Sequence, residues 1–285
     1  FVDMGGNNDV VAAELELDAE ARRARVSLVP DMGLAPGLVS VIARAFAEDI
    51  EELDAVHLRV GGLPRDRDTP FGYALVFSPA GLVNEYAEPC LVIRDGRLHT
   101  VPPLTELETL EINPLGTFEA FHTSGGASSL PHSFLGLVRE LDYKTLRYPG
   151  HRDWIKPFFD LKLHSEQEIT LGGARVKPRD FFIERLQATF SECDDDVVVL
   201  RCWATGRRAG RSIKVIYEMV AYADGAAALT AMMRCTGFPV AVTAQMAADG
   251  QVAPGAHTPE SAVPPPPFLA ALRTRGLAIE KTVCD

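Results

Sequence analysis

The 285-residue sequence lacks several features that would place it in a class at once. It has no uninterrupted run of about 18 apolar residues, the length a membrane-spanning helix needs. It also has no excess of positive charge, because 28 Lys and Arg face 39 Asp and Glu, for a net charge of −11. Nucleic-acid and anionic membrane surfaces attract basic proteins. We therefore expect neither a nucleic-acid partner nor a membrane partner.

Cysteines are few, and none has metal-ligand spacing. The five cysteines form no CxxC pair, and their number is odd. A structural zinc site or a disulfide framework is therefore not expected, and no histidine pair has metal spacing either. This usage fits a reducing compartment, and we predict a cytoplasmic protein without a metal site.

Phosphate-binding glycine loops are also missing. Neither GxGxxG nor GxxxxGK[ST] occurs, and the Gly-Gly pairs have the wrong spacing. Such loops cradle the phosphates of nucleotides against the start of a helix. These residues by themselves therefore predict no pyrophosphate cradle.

The first fifty residues have an α/β pattern. Residues 25–30 form a short apolar run typical of a buried parallel strand, and residues 31–37 are a turn rich in glycine and proline. Apolar residues recur at helical spacing from Leu38, and Pro36 suits the first turn of that helix. Ligands bind at such strand-to-helix turns, at the carboxyl edge of a parallel sheet.

Strands dominate the middle of the chain. Asp95-Gly96 is a strong two-residue hairpin signal between strands at 90–94 and 97–101. A helix is predicted at 181–190. Other strands are predicted at 55–60, 73–77, 117–121, 197–204 and 213–222. This order predicts a largely antiparallel sheet with helices on one face.

Helices return after residue 225. They are predicted at 226–235, 238–248 and 268–275. Because sheet separates two helical parts, we predict a mixed fold, α/β plus α+β. Residues 1–52 and 226–285 would form one dinucleotide-binding domain of Rossmann type, and residues 53–225 an inserted catalytic domain.

Four polar segments could carry chemistry, although each could also be an ordinary turn or solvated surface. They are residues 31–37, 84–86, 122–129 and 144–151. In the last, Arg147 could clamp a carboxylate through two parallel N–H bonds, and His151 or Lys144 could move a proton near neutral pH. We expect this segment to lie at the active site.

Taken together, the segments resemble the saccharopine dehydrogenase-like family, and within it the lysine 6-dehydrogenases most. The resemblance rests on a collinear set of motifs that spans nearly the whole chain, although any one of them is weak. They are VDMGGN (2–7), VPDMGLAPG (29–37), RVGGLP (59–64), FSPAGL (77–82), EY (85–86), EAF (119–121), GGASSL (125–130), KTLRYPGH (144–151) and TGFP (236–239).

The resemblance implies a Rossmann domain built from both chain ends, and oxidation of an amine carbon with hydride passed to NAD or NADP. The substrate would be a small amino acid or amine. The roles below are hypotheses from residue type and motif position. His151 is the first choice for proton acceptor and Lys144 the second. Arg147 and Tyr148 would bind the carboxylate end of the substrate, and Glu85 or Tyr86 would orient its amine. The cleft would be lined by His122, Thr123 and Ser124. The nicotinamide would be bordered by the turn residues Asp31, Met32, Gly33, Pro36 and Gly37.

One departure from the family concerns the amino end. Members begin with a glycine-rich βαβ unit, and we expect that unit to precede Phe1 rather than never to have existed. Two alternatives stay open. One is a secondary-amine dehydrogenase that forms saccharopine or carboxynorspermidine, and the other is a non-catalytic dimerisation or binding relative. Free edges of an antiparallel sheet make a homodimer or higher homo-oligomer plausible.

Overall fold

The computed structural model describes residues 1–5, 7–190 and 192–284. Its α-helices are α1 (Asn8–Glu16), α2 (Asp18–Ala24), α3 (Val39–Asp49), α4 (Pro79–Ala87), α5 (Leu130–Ser133), α6 (His151–Asp160), α7 (Pro178–Thr189), α8 (Ala231–Ala248), α9 (Pro259–Ala262) and α10 (Pro265–Thr274). Its strands are β1 (Ser27–Leu28), β2 (Glu52–Pro64), β3 (Cys90–Arg94), β4 (Arg97–Val101), β5 (Glu108–Ile112), β6 (Gly116–His122), β7 (Glu140–Arg147), β8 (Ile169–Leu171), β9 (Ala174–Val176), β10 (Asp196–Arg208), β11 (Arg211–Tyr222), β12 (Gly255–Ala256) and β13 (Glu280–Cys284).

A large mixed sheet organises the molecule. Its strands follow the order β13-β11-β10-β2-β7-β3-β4, and β6 also pairs with β7 and carries β5 on its other edge. Among the described strands of this sheet, β2 and β7 are the one parallel pair, so the predicted largely antiparallel sheet is confirmed. The predicted hairpin at Asp95-Gly96 joins β3 to β4 as expected.

A small parallel sheet joins the two ends of the chain. β1 pairs in parallel with β12, and Val2 forms a parallel bridge to Val29. Helices α3, α8 and α10 bury apolar residues between these segments and one face of the large sheet. The β5–β6 hairpin covers part of the other face with a separate apolar cluster. The mixed α/β architecture inferred from the sequence is therefore present.

Three local predictions were wrong, two in the first half of the chain and a third at residues 226–248. Residues 73–77 form no strand, and only Leu75 makes a bridge, because Pro70 and Pro79 bracket the segment and Tyr73 packs into a local core. Helix α3 begins at Val39 rather than near Pro36, since Pro36 is extended (φ −73°, ψ 168°) and Gly37 turns the chain with φ +118°.

Residues 226–248 hold one helix rather than two. The Asp196 carboxylate accepts hydrogen bonds from the backbone N–H groups of Ala231 and Met232, and Thr230 caps Met233, so the helix begins there. At the carboxyl end, β13 pairs with β11. The last strand therefore extends the large sheet, whereas the sequence-based boundary placed it with the first domain.

Candidate active site

A cleft of about 990 Å³ lies where the loop before α3 faces the large sheet. Strand β7, helix α4 and the segment between α7 and β10 supply polar groups, and α8 closes one side. Lining residues that matter below are Gly33, Pro36, Glu85, Tyr143, Thr145, Arg147, Glu192, Asp194 and Met232. The cleft therefore joins segments that lie far apart in the chain.

The turn at residues 31–37 presents backbone to this cleft. Gly33 and Pro36 line it, whereas Met32 is fully buried beneath. A side chain at Gly37 would lie 2.6 Å from the backbone carbon of Met32, so this position needs glycine for close approach as well as for its positive φ. The segment from Gly33 to Pro36 therefore borders the cleft with its backbone.

Asp31 stabilises that turn from below. Its side chain is buried and accepts a hydrogen bond from the hydroxyl of Ser128, while its own backbone N–H donates to Asp3 Oδ1 at 3.1 Å. Burial raises the pKa of Asp31 to about 6, against the hydrogen bond from Ser128, which lowers it. Asp31, Met32 and Gly37 therefore shape the turn, and Gly33 and Pro36 face the cleft.

Arg147 is the cation at the cleft. It is 2% exposed, and its Nε donates to the Tyr86 hydroxyl at 2.8 Å while its Nη1 donates to the Leu146 carbonyl at 2.9 Å. Its Nη2 lies 4.0 Å from Glu85 Oε2. Burial raises the pKa of Glu85 to about 7, although the charge of Arg147 opposes this rise. Within the described part of the chain, no acceptor lies at hydrogen-bond distance from Arg147 Nη2.

His151 lies behind Tyr86 and does not line the cleft. Because the Tyr86 hydroxyl accepts from Arg147, it donates to His151 Nε2 at 3.1 Å, and His151 Nδ1 then donates to the Phe71 carbonyl at 3.0 Å. Burial and the charge of Arg147 lower the pKa of His151 to about 3. Both nitrogens of His151 are therefore engaged by protein groups away from the cleft, and its role as proton acceptor stays a prediction.

Lys144 and Tyr148 lie on the opposite side of the sheet from Arg147. Side chains alternate along a strand, so Tyr143, Thr145 and Arg147 face the cleft and Lys144 does not. Lys144 Nζ donates to the Glu106 carbonyl at 2.7 Å, and the Tyr148 hydroxyl donates to the Pro64 carbonyl at 2.8 Å. The structure therefore does not bring the second candidate base, or Tyr148, to the cleft.

The side of β7 that carries Lys144 holds a paired ionic network. Arg59 contacts both Asp142, at 3.0 Å, and Glu108, and Asp142 also contacts His57 Nδ1 at 2.6 Å. Burial raises the pKa of Asp142, but His57 and Arg59 more than offset it and hold that pKa far below its usual range. His122 belongs here too, because its Nε2 lies 3.0 Å from Glu106 and its Nδ1 lies 3.1 Å from the Tyr143 carbonyl.

Thr123 and Ser124 lie in a second, smaller groove and not in the cleft. Conversely, Thr145 and Tyr143 line the cleft and were not singled out from the sequence. The signal that could have found them is the alternation over residues 140–145, in which Glu140, Asp142 and Lys144 are charged and the residues between them, including Tyr143 and Thr145, are not.

Comparison with known proteins places the chain in a family. Residues 33–277 match the family described as Saccharopine dehydrogenase C-terminal domain. The chain belongs to this saccharopine dehydrogenase family. The resemblance seen in the sequence motifs is confirmed by this match, which covers the cleft and its polar residues from Gly33 to Thr236.

Two similar proteins carry the same family name. A saccharopine dehydrogenase [NADP(+), L-glutamate-forming] from Pyricularia oryzae (strain 70-15) is 27% identical over 171 residues, which cover 56% of this chain and 37% of that protein. The chain thus spans little more than a third of this curated relative. The apo histidine-tagged saccharopine dehydrogenase (L-Glu forming) from Saccharomyces cerevisiae matches with a TM-score of 0.76 at 20% identity, covering 95% of this chain and 77% of that one. This second likeness shows the shared fold.

No helix in the described ranges combines the length and the apolar character that crossing a bilayer would need.

Proposed function

We propose that this chain forms the substrate-binding part of an NAD(P)-dependent oxidoreductase that acts on the CH–NH group of an amino acid, most like lysine 6-dehydrogenase. The observation that carries the proposal is the pair formed by Arg147 and Glu85 in the cleft, with their charged ends 4.0 Å apart. Family membership and the Gly33–Pro36 surface support it.

The Arg147–Glu85 pair matches the head of an α-amino acid. Nη2 is the nitrogen of Arg147 left to donate charge-assisted hydrogen bonds to a substrate carboxylate, since Nε is held by Tyr86 and Nη1 by the Leu146 carbonyl. An ionised Glu85 beside it would accept from the α-ammonium group. Because an α-amino acid carries both charges on one carbon, two protein charges this close suit it.

Tyr86 and His151 keep the guanidinium in place. The hydrogen bonds run from Arg147 to Tyr86, from Tyr86 to His151, and from His151 to the Phe71 carbonyl. The rings of Tyr73 and Tyr86 also lie 5.1 and 5.8 Å from the guanidinium carbon. A fixed guanidinium fixes the substrate, and this sets the distance and angle of hydride transfer.

The cofactor, when bound, supplies the hydride acceptor. Gly33 and Pro36 would hold its nicotinamide ring, with Met32 packed beneath. The side-chain amine of the substrate must be neutral before its carbon gives up hydride, and we propose that water takes the ammonium proton, because neither His151 nor Lys144 reaches the cleft. The carbon–hydrogen bond then breaks and a carbon–nitrogen double bond forms. Hydrolysis of this imine yields an aldehyde and ammonia.

The charges of the cleft favour lysine over saccharopine as substrate. Among the described residues that line it, Arg147 is the one cation, and Glu85, Glu192 and Asp194 are anionic. Lysine brings one carboxylate and two ammonium groups, whereas saccharopine brings three carboxylates. The second candidate function, a saccharopine-type secondary-amine dehydrogenase, is favoured by the names of the relatives that match.

A product assay separates these candidates. The natural full-length protein is incubated with NAD or NADP and either lysine or saccharopine, and reduced nicotinamide and ammonia are both measured. The proposal expects lysine to give reduced cofactor and ammonia in equal amounts. Reduced cofactor with saccharopine alone supports the second candidate. No reduced cofactor with either substrate, together with no cofactor binding by fluorescence, would identify a non-catalytic relative.

A further inference from the structure

A second groove, of about 430 Å³, lies across Tyr143 from the cleft, and Tyr143 lines both. One wall is apolar and is formed by Val11 and Leu15 of α1 together with Leu91 of β3. The other wall is the loop between β6 and α5, which is rich in hydroxyl groups. The groove is therefore amphipathic, lined by apolar side chains and by hydroxyl groups.

Three serine hydroxyls that line the groove already donate hydrogen bonds to other groups of the protein. Ser128 donates to Asp31, Ser133 donates to Glu260, and Ser124 donates to the Asn84 carbonyl at 3.2 Å. A hydroxyl has one proton and two lone pairs. What these three hydroxyls can still offer is lone pairs, so each of them can accept a hydrogen bond from a ligand.

Two buried oxygen atoms near this wall have no hydrogen-bond partner within the described part of the chain. They are Thr123 Oγ1, in a residue that is 3% exposed and lines the groove, and Glu260 Oε2, in a residue that is 7% exposed and holds Ser133. A buried oxygen without a partner is costly. A ligand with several N–H donors would relieve that cost.

The charge around the groove has one sign. Asp31 and Glu260 stand directly behind two of the hydroxyls, and Glu88 Oε2 lies 3.4 Å from the third. Of the described residues that line the groove, none is Lys or Arg. The surroundings therefore favour a cation and disfavour an anion.

We propose that this groove binds a small primary ammonium ion with a short apolar stem. The ammonium group donates to the polar wall, with Thr123 as one acceptor, and the stem packs against Val11 and Leu15. The proposal rests on this geometry and is independent of the redox function proposed for the cleft.

Calorimetric titration of the full-length protein with n-butylammonium, without cofactor, tests the site. We expect saturable binding of n-butylammonium and none of n-butanol, which has the same length but no charge. Thr123→Val removes an acceptor and keeps the shape, and should raise Kd about fivefold. Ser129→Trp fills the groove and should abolish binding.

Glu85→Gln is the matched control, because Glu85 lines the cleft and not the groove. Its Kd for n-butylammonium should equal that of the wild type. Equal binding of n-butanol, unchanged binding by Ser129→Trp, or loss of binding in Glu85→Gln would each overturn the proposal, the last by placing the amine in the cleft. None of these readouts depends on turnover, so a failed redox assay leaves them intact.

Discussion

Strand β7 carries buried cationic side chains on both faces, and the two faces differ in how closely protein oxygens surround the cation. On one face, Lys144 and its neighbour Arg59 are held by protein oxygens, including the carboxylates of Asp142 and Glu108. On the other, Arg147 has a carboxylate no nearer than Glu85 at 4.0 Å and opens onto the cleft. A buried charge is costly unless it is paired. The face with Lys144 is therefore structural, whereas on the cleft face Arg147 Nη2 has no acceptor at hydrogen-bond distance among the described residues and can meet a ligand of opposite charge.

The largest expected effect is the loss of stability on removing Asp142, which pairs with Arg59 on the face of β7 that carries Lys144. Asp142→Ala leaves Arg59 with Glu108 alone, and losing one partner of a buried pair typically costs about 3–5 kcal/mol. The free energy of unfolding, from denaturant titration, measures this loss. Asp195→Ala is the control, because its pair with Arg65 is exposed and should change stability by less than about 1 kcal/mol. A loss for Asp142→Ala as small as the control would show that the network is not structural.

Removing the charge of Arg147 should weaken substrate binding more than it lowers stability. Arg147→Leu leaves the Tyr86 hydroxyl and Glu85 without this partner, so the free energy of unfolding should fall, but by less than in Asp142→Ala, because the nearest carboxylate is 4.0 Å away. The KM for the amino acid should rise about 30- to 150-fold, as expected for about 2–3 kcal/mol from a charge-assisted bond. Lys144→Met is the matched control across the strand and should leave KM unchanged. Equal KM values for Arg147→Leu and wild type would remove Arg147 from the substrate site.

The pH dependence of KM tests whether ionised Glu85 binds the substrate. Its pKa is raised to about 7, so its carboxylate is mostly neutral at pH 6 and mostly ionised at pH 8. If the ionised form binds the α-ammonium, wild-type KM should fall about tenfold between these two values. Glu85→Gln should give a KM that does not vary over this range.

Glu85→Gln should also change the stability of the protein, in a direction that follows from the raised pKa of Glu85. A raised pKa in the folded protein means that the ionised carboxylate opposes folding. This penalty is absent below the unfolded pKa of about 4.5 and complete above about 7. Glu85→Gln should therefore raise the melting temperature at pH 8 and leave it unchanged at pH 4. A gain at both pH values would point to packing instead of charge.

The smallest expected effect belongs to His151. His151→Phe removes the acceptor of the Tyr86 hydroxyl and should raise KM about fivefold, as for about 1 kcal/mol from one hydrogen bond. His151→Gln, whose amide oxygen can accept in its place, should recover part of this loss. The pH profile of kcat should be the same in all three proteins. A profile that loses its acidic limb in both variants would restore His151 as the proton acceptor.

Local signals in the sequence were enough for several features. Asp95-Gly96 between two apolar strands requires a tight turn, and β3 and β4 form there. The collinear motifs indicated the family that the match over residues 33–277 shows, and the Asp31–Gly37 turn lies where a strand-to-helix turn was expected. Each of these depends on neighbours along the chain, so the sequence alone was sufficient.

Tertiary structure decided which of the polar residues meet. Lys144 and Arg147 are three apart in a segment that reads as one cluster, yet β7 sends them to opposite faces. Residues 140–145 alternate between charged and uncharged side chains, but Leu146 and Arg147 reverse this pattern, so the sequence does not reveal which face opens onto the cleft. The start of α8 depends likewise on Asp196, 35 residues away from Ala231. The sequence sets which residue types lie near Arg147 along the chain. Only the packing of distant strands determines which of these charged groups are left without a close partner of opposite charge.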